Sequence, residues 1–401
     1  MGIRACALEC GAFRTLFDVY THRGEAIKKL RNSGKKVVAQ LGCDVPDEVI
    51  LAAGMVPVRL YSMEGEPGKP LDMSLADKYL EYAFDPMMRA KFQQIVDGTW
   101  YGLCDHLAIS NSTDVIIRLY LYLRELRRIQ PELNLPPIDF IDWLFTRHRV
   151  HQEHNEKTVL RFMDTVKTWS CCEISKEDIL KAAKICNENR DALRAVDELR
   201  HGEKVRVSGS EALVIIGSAF FMERKEHTKL VQSVFKAAQQ WPPMEGTRLY
   251  YTGSVQENTK LYDKIENCQC VVVGEDHDWG ERFFDRDYDL NLDPVRAIAD
   301  TYMLRSFSSK KAFVSQRVET LDAAVCKCNA QAVVFYNHIY EEAASWDYPE
   351  QKKSLEAMGR PTCNFSKMQW PCWENQALDA KLSLAIKDME VKMCGGGADH
   401  E

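Results

Sequence analysis

Short apolar runs alternate with helical patterns in two separate parts of this chain, and this rhythm constrains the fold more than any other feature of the sequence. Such an alternation is typical of buried parallel strands that are joined by right-handed helical crossovers. Between the two parts the sequence shows helical patterns alone. We therefore predict an α/β protein of two lobes, each with a small parallel sheet flanked by helices, plus a helical middle section. The predicted strands are 36–41, 56–60, 106–109, 138–143, 248–253, 271–274, 332–336 and 362–365.

The same patterns divide the chain into five segments. We expect an N-terminal helical segment at 1–35, an N-terminal α/β lobe at 36–150, a helical section at 151–241, a C-terminal α/β lobe at 242–393 and a disordered tail at 394–401.

Within the helical section, helices are predicted at 158–169, 176–199 and 208–240. Ser175 is followed three residues later by Asp178, which resembles a capping box at the start of a helix.

Composition excludes several classes of protein. The formal net charge is −7, and no basic face dominates the sequence, so we do not expect a nucleic-acid-binding protein. No run of eighteen or more apolar residues is present, so we expect no membrane span. The N-terminus is a poor signal peptide, and we expect a cytoplasmic protein.

Phosphate-binding glycine motifs of the P-loop and dinucleotide-binding types are absent from the sequence, which disfavours an ATPase or a nicotinamide dehydrogenase.

Fourteen cysteines are many for a cytoplasmic chain of this length. They include two C-x-C pairs but no C-x-x-C motif, and a C-x-C pair chelates a metal poorly without further ligands. The favoured interpretation is that these cysteines are small buried hydrophobic residues, and metal ligation is the alternative. Their number suggests a reducing, anaerobic setting.

A polar corner follows the third predicted strand. Residues 110–114 read Ser-Asn-Ser-Thr-Asp and lead directly into a long helical pattern. In an open α/β sheet, ligands bind where a strand ends and a helix begins. We expect Asn111, Ser112 and Thr113 to donate hydrogen bonds to a bound group, and helix capping is the alternative role.

An ordered set of motifs resembles the 2-hydroxyacyl-CoA dehydratase and benzoyl-CoA reductase family over residues 36–363. The N-terminal half of the chain contains VPDEVILAAGMVPVRL, DPMMRAKFQQIVDG, STDVIIRLYLYLRE and LNLPPID. The C-terminal half contains RLYYTGS, VVVGEDHDWGERFF, DPVRAIADTYM, AQAVVFYNH and YPEQKKSLEAMGRPT. Each motif is weak alone, but the order of the whole set is fairly specific.

The resemblance implies two-lobed α/β subunits that pair as related heterodimers and bind an acyl-CoA thioester between the lobes. In this family a [4Fe–4S] cluster, held by three cysteines, receives an electron from an ATP-hydrolysing activator. The cluster passes the electron to the thioester, and the resulting ketyl radical anion loses a hydroxyl group or begins reduction of an aromatic ring. Such acceptors are hard to reduce, so a low-potential cluster in a dry pocket is required.

The sequence departs from the family at the cluster ligands. When Arg89 is matched to a family arginine, the first cluster cysteine falls on Asp85. The second falls on Thr113, with Asp114 keeping the family acid, and the third falls near Glu341. None of the three is cysteine, so a standard cluster is not expected on this chain.

Three interpretations remain open. In the first, this chain is the partner subunit in a heterodimer or larger complex, an oxidoreductase or lyase, whose other chain carries the [4Fe–4S] cluster. The partners would then be that homologous subunit, an ATP-hydrolysing activator or other electron donor, and the acyl-CoA. In the second, Asp85, Glu341 and Asp276 or Asp278 bind Mg²⁺, Mn²⁺ or Fe²⁺. In the third, the chain is a binding module or scaffold without chemistry of its own.

Candidate site residues come from the polar corner and from the ends of two later strands. The 276–278 segment, Asp-His-Asp, and residues 337–338, Asn-His, each follow a predicted strand. The alternatives are helix caps, solvated loop carboxylates and a hydrogen-bonded loop histidine. We predict catalytic roles for Asp114, His338 and Asp278, and substrate binding by Asn111, Ser112, Thr113, Arg89 and Arg282, with no metal ligand.

Overall fold

The computed structural model describes residues 2–65, 69, 71–308 and 311–395, and within them the predicted α/β architecture is confirmed. The strands are β1 (Val37–Leu41), β2 (Val56–Arg59), β3 (His106–Ser110), β4 (Ile138–Ile141), β5 (Thr247–Gly253), β6 (Cys270–Glu275), β7 (Ala332–His338) and β8 (Thr362–Met368).

The α-helices cover most of the remaining described chain. They are α1 (Ala5–Glu9), α2 (Gly11–Thr21), α3 (Arg23–Asn32), α4 (Asp47–Ala52), α5 (Ser74–Tyr79), α6 (Pro86–Val96), α7 (Asp114–Ile129), α8 (Arg149–Ser170), α9 (Lys176–His201), α10 (Gly209–Ser218), α11 (Arg224–Ala238), α12 (Lys260–Glu266), α13 (Pro294–Leu304), α14 (Val314–Lys327), α15 (Glu342–Ala357) and α16 (Leu378–Gly395).

The strands form two parallel four-stranded sheets with the same topology. The strand order is β2-β1-β3-β4 in the first sheet and β6-β5-β7-β8 in the second. Every residue of the inner strands β1 and β7 is buried. Burial on both faces explains why these strands read as continuous apolar runs rather than as alternating patterns.

The helix predicted at 208–240 is wrong as a single element. The chain forms α10 and α11, which are separated by a 3₁₀ turn at Ala219–Phe221 and by the extended residue Met222. The Arg224 guanidinium donates to the Ala219 carbonyl over 2.6 Å and closes this corner. The sequence hides the break because α10 is buried on all sides and therefore shows no polar face.

Two helices within the helical section begin with strong local capping signals. Ser175 and Asp178 form the predicted capping box, in which each side chain accepts from the other residue's backbone N–H over 3.2 Å. Ser208 makes an equivalent box with Glu211 at the start of α10. These reciprocal bonds satisfy backbone donors that a helix start would otherwise leave unpaired.

The final helix continues through Gly395, past residue 394, where the tail was predicted to begin. The rest of that predicted tail, 396–401, lies outside the described residues. Within the described chain, every helix is either too short or too polar to cross a bilayer.

Candidate active site

A cavity of about 550 Å³ lies between the carboxyl ends of the two sheets. Its wall is built from the turns after β3, β5, β6 and β7, together with parts of α6, α7, α14 and α15. In open α/β sheets, ligands bind where the strand order reverses. That reversal lies between β1 and β3 in one sheet and between β5 and β7 in the other. The cavity therefore adjoins the expected ligand position of both sheets.

The wall combines apolar patches with many charges. Among the described residues of the wall, four basic side chains face eight acidic ones, and each of these basic side chains lies within ion-pair distance of a carboxylate. The basic residues are Arg118, Arg282, Lys311 and Arg317, and their partners are Glu81, Asp278, Asp114 and Asp347 respectively. The other acids are Asp85, Asp276, Glu341 and Glu342. The apolar residues include Met87, Met88, Val115, Ile116, Val255, Leu321 and Phe335.

The three positions where the sequence resemblance would place cluster cysteines all line this cavity. Asp85 and Thr113 come from the N-terminal sheet region, and Glu341 comes from the turn after β7. No cysteine is among the described residues of the wall. Thiolates hold iron–sulfur clusters, so the donors that are present do not fit such a group. We therefore derive no chemistry through a cluster on this chain.

Asp85, His338 and Glu341, which we call the Asp85 triad, lie close together beside the cavity, which Asp85 and Glu341 line. One potential ligand atom from each lies within 4.8 Å of the others. The His338 Nδ1 atom is 3.6 Å from Asp85 Oδ2. Asp85 and His338 are 4% and 3% exposed. The triad thus brings together residues from the two sheet regions, with Asp85 and His338 buried and Glu341 half-buried.

Backbone geometry positions the members of the triad. Asp85 is the N-cap of α6, and its Oδ1 accepts from the Met88 N–H over 2.8 Å, which leaves Oδ2 directed at His338. The Ser254 hydroxyl donates to Glu341 Oε2 and also accepts from the His338 N–H, the latter over 2.8 Å. Ser254, in the turn after β5, therefore bonds both the last residue of β7 and Glu341 in the turn that follows it.

Arg282 forms a second charged group, the Arg282 network, with Asp44, Asp278, Arg59 and Cys43. The Arg282 guanidinium donates to both Asp44 oxygens over 3.0 and 3.1 Å and to Asp278 Oδ1 over 2.7 Å. It also contacts the Cys43 sulfur, while Arg59 donates to the Asp278 carbonyl. Burial would raise the pKa of Asp278, but the charges of Arg282 and Arg59 outweigh it and hold that pKa below its ordinary value.

The end of β1 is packed directly against the polar corner. Ser110 and Ser112 share a hydrogen bond of 2.8 Å, and Ser112 also donates to Asp44 Oδ2 over 3.0 Å. Gly42 has a φ of +89°, and a Cβ there would lie 2.4 Å from Ser110 Oγ and 2.8 Å from Ser112 Oγ. A glycine is therefore required at this point of the corner.

The remaining predicted residues of the polar corner have distinct local partners. Thr113 lines the cavity and is the N-cap of α7, accepting from Ile116 N–H over 3.3 Å. Asp114 pairs with Lys311 over 2.5 Å. Asn111 is held by the Trp143 backbone, to which it donates over 2.9 Å and from which it accepts over 3.1 Å.

The three side chains of the Asp-His-Asp segment contact different neighbours. Asp276 accepts from the Thr252 hydroxyl over 2.9 Å, and His277 Nε2 lies 3.0 Å from the Tyr262 hydroxyl. Asp278, as described above, belongs to the Arg282 network. These three side chains therefore serve three separate contacts.

Arg89 lies outside the cavity lining. Its guanidinium donates to the Glu81 carbonyl over 3.0 Å and pairs with Asp77. Arg89, on α6, therefore connects that helix to α5 and to the residues that follow α5.

Sequence reasoning missed several residues of the wall and its support. Arg317 and Asp347, on α14 and α15, form a buried ion pair beside the cavity. Asp44 and Cys43 lie in the turn after β1, where a Gly-Cys-Asp sequence closing a buried strand was the available signal. The pairing of Asp44 with Arg282 had no signal, because the two residues are distant in sequence.

A family model and several known proteins match the sequence of this chain. Residues 43–371 match the family model described as 2-hydroxyglutaryl-CoA dehydratase, D-component. The chain is 21% identical over 340 residues to the (R)-phenyllactyl-CoA dehydratase beta subunit of Clostridium sporogenes, covering 84% of this chain and 87% of that protein.

Two other relatives are subunits of enzymes with different names. The beta subunit of (R)-2-hydroxyglutaryl-CoA dehydratase from Acidaminococcus fermentans is 22% identical, over 82% of this chain and 86% of its own length. A subunit of benzoyl-CoA reductase from Thauera aromatica is 21% identical, over 70% of this chain and 71% of its own length. The resemblance found in the sequence is confirmed, and the chain belongs to the 2-hydroxyglutaryl-CoA dehydratase D-component family.

Proposed function

We propose that this chain is a subunit of an acyl-CoA-processing complex of the 2-hydroxyacyl-CoA dehydratase and benzoyl-CoA reductase type. It forms part of the acyl-CoA cleft and pairs with a homologous subunit that carries a [4Fe–4S] cluster for one-electron reduction of the acyl-CoA. An ATP-hydrolysing activator or another electron donor supplies the electron. The observation that carries the proposal is the cavity at the reversal points of both sheets, with the matched cluster positions on its wall.

The size and lining of the cavity suit the acyl end of a thioester. A volume of about 550 Å³ lies within the range of small-molecule sites. The apolar residues of α6 and α7 offer surface to a hydrocarbon group, and the Thr113 hydroxyl is placed beside them. An aromatic, branched or dicarboxylic acyl group is compatible with such a mixed wall.

The side chains of the wall support the proposal that a partner subunit, rather than this chain, holds the cluster. Without thiolates on the described wall, this chain has no ligands for a cluster there, so the electron must reach the acyl-CoA from a partner. All three relatives are named as subunits of larger enzymes, which supports assembly with other chains. Their names cover dehydration and reduction, and both reactions start from a CoA thioester.

Within this cleft we assign different roles to the predicted catalytic residues. His338 is nearly buried beside the lining residue Asp85, and its Nδ1 makes no hydrogen bond with any described residue, so we assign its ring to holding a ligand or proton there. Asp114 keeps an exposed carboxylate beside Lys311 at the cavity wall. Asp278 has a lowered pKa and is a weak base, so we assign it to holding Arg282 against the cleft.

Filling the cavity tests the proposal. Ala344 lines the wall on the first turn of α15, whereas Glu350 is exposed on the same helix. We expect Ala344→Trp to raise the Kd of the assembled complex for CoA esters by at least about tenfold, because the indole occupies the acyl position. Glu350→Trp is the matched control and should leave the Kd unchanged.

The titration uses phenyllactyl-CoA, 2-hydroxyglutaryl-CoA and benzoyl-CoA, followed calorimetrically with the complex assembled from both subunits. A wild-type complex that binds none of them, or an Ala344→Trp complex that binds as well as wild type, would overturn the cleft assignment. The first result would instead favour a scaffold role.

A further inference from the structure

We infer that the Asp85 triad is a binding site for a single divalent transition-metal ion, of the Mn²⁺ or Fe²⁺ type, bridging the two halves of the cavity. The inference deepens the proposed function, on which it rests only for what the ion does in the cleft. Ion binding itself is a property of this chain alone.

The donor set fits such an ion. One imidazole nitrogen and two carboxylates lie within 4.8 Å of one another, a spacing that a common central ion can satisfy. Carboxylates suit Mn²⁺ and Mg²⁺, while an imidazole shifts the preference toward Mn²⁺, Fe²⁺ and Zn²⁺. The same donors are unsuited to an iron–sulfur cluster.

An unsatisfied buried atom points to a ligand at this place. His338 is 3% exposed, and its Nδ1 makes no hydrogen bond with any described residue. Buried polar atoms without partners are rare in proteins, since each one destabilises the fold. Nδ1 faces Asp85 Oδ2 at 3.6 Å, too far for a hydrogen bond but suited to two ligands of one ion.

The charge of the wall favours a cation at the triad. Among the described residues of the wall, acidic side chains outnumber basic ones. Asp85 and Glu341 add two carboxylates to a nearly enclosed place beside His338. A divalent ion lowers the cost of holding like charges so close together.

The protein holds the donors in place before any ion arrives. Asp85 is fixed by its cap on α6, and Ser254 bonds both Glu341 and the His338 backbone. Such partners orient ligands and raise affinity in metal sites. Because Asp85 and Glu341 line the cavity, an ion held by the triad would be open to an acyl oxygen of the CoA ester.

Titration of the isolated, EDTA-treated chain with Mn²⁺, with free Mn²⁺ followed by electron paramagnetic resonance, tests the inference. We expect one equivalent of Mn²⁺ to bind. Asp85→Asn keeps the helix cap, because asparagine is also a good N-cap residue, but should weaken binding by at least about tenfold. His338→Gln should do the same.

The control is Glu342→Gln, which removes one negative charge from the same wall at a position next to Glu341. Its Kd for Mn²⁺ should stay close to wild type. Absence of Mn²⁺ binding to the wild-type chain, or equal weakening in Glu342→Gln and Asp85→Asn, would overturn the inference.

Thermal melts of each metal-free variant separate loss of ligands from loss of the fold. Pairing with the homologous subunit is measured on the same preparations. A chain that pairs and supports CoA-ester binding but takes up no Mn²⁺ contradicts the metal site alone. A chain that takes up Mn²⁺ but neither pairs nor binds CoA esters contradicts the proposed function alone.

Discussion

The Arg282 network and the Asp85 triad both place buried charged groups beside the same cavity, but they differ in how the described partners of those groups meet. In the network, Arg282 is bonded to the carboxylates of Asp44 and Asp278. In the triad, two carboxylates meet a histidine whose Nδ1 makes no hydrogen bond with any described residue. A group that is complete without a ligand stabilises the fold, whereas an incomplete group is suited to bind one.

Breaking the network should cost the most stability. Asp44→Asn leaves the buried Arg282 guanidinium without one of its two carboxylates, and we expect the free energy of unfolding to fall by about 3 kcal/mol. Urea denaturation followed by circular dichroism measures the change. Asp191→Asn, which removes an exposed partner of Arg194, is the control and should cost less than about 0.5 kcal/mol. Equal losses in the two variants would remove the distinction between network and surface pairs.

Completing the triad should have the next largest effect. Mn²⁺ at a hundred times its Kd is expected to add about 2.7 kcal/mol to the free energy of unfolding of the wild-type chain. In Asp85→Asn the same Mn²⁺ concentration should add much less, because the Kd has risen. Denaturant titrations with and without Mn²⁺ provide the measurement, and equal stabilisation of both proteins would place the ion elsewhere.

Acid should weaken the network through Asp278. The pKa of this carboxyl is lowered in the folded chain, so the unfolded chain takes up a proton first as pH falls. The stability that Asp278 contributes is therefore fully present above an unfolded pKa of about 3.9 and is lost as pH falls below it. Between pH 5 and pH 3, the free energy of unfolding of the wild-type chain should fall by about 1 kcal/mol more than that of Asp278→Asn. If the variant lost as much stability between pH 5 and pH 3 as the wild-type chain, this role would be contradicted.

Substitution within the metal-free triad should have the smallest effect. Glu341→Gln removes one of two neighbouring carboxylates while an amide oxygen remains to accept from Ser254. We expect the free energy of unfolding of the EDTA-treated chain to change by less than about 1 kcal/mol, because the amide oxygen keeps the Ser254 hydrogen bond. A loss as large as that of Asp44→Asn would show that the triad is part of the structural framework.

The sequence predicted the strands well because buried parallel strands appear as short apolar runs. The ends of β1, β3, β5 and β7 lie close to the predicted ones. Strand order could not be predicted, because it depends on pairings between distant segments. The break between α10 and α11 was missed, since a helix buried on every side has no polar face to mark where it ends.

The candidate site was accessible to sequence reasoning only in part. The resemblance to the family directed attention to Asp85, Thr113 and Glu341, and the structure brings all three to one cavity. The approach of His338 to Asp85 was not predictable, because it depends on how the two sheets face each other. The same holds for Arg282 and Asp44, whose pairing joins the turn after β1 to the segment after β6.

The acid-labile sulfide and iron content of anaerobically purified protein tests most directly whether the cluster belongs to the partner. It is measured for this chain alone and for its complex with the homologous subunit. We expect no sulfide on this chain alone and about four sulfides with four irons per cluster in the complex. Sulfide is decisive because a single ion at the Asp85 triad brings none. Four irons with four sulfides on the isolated chain would contradict the assignment of the cluster to the partner.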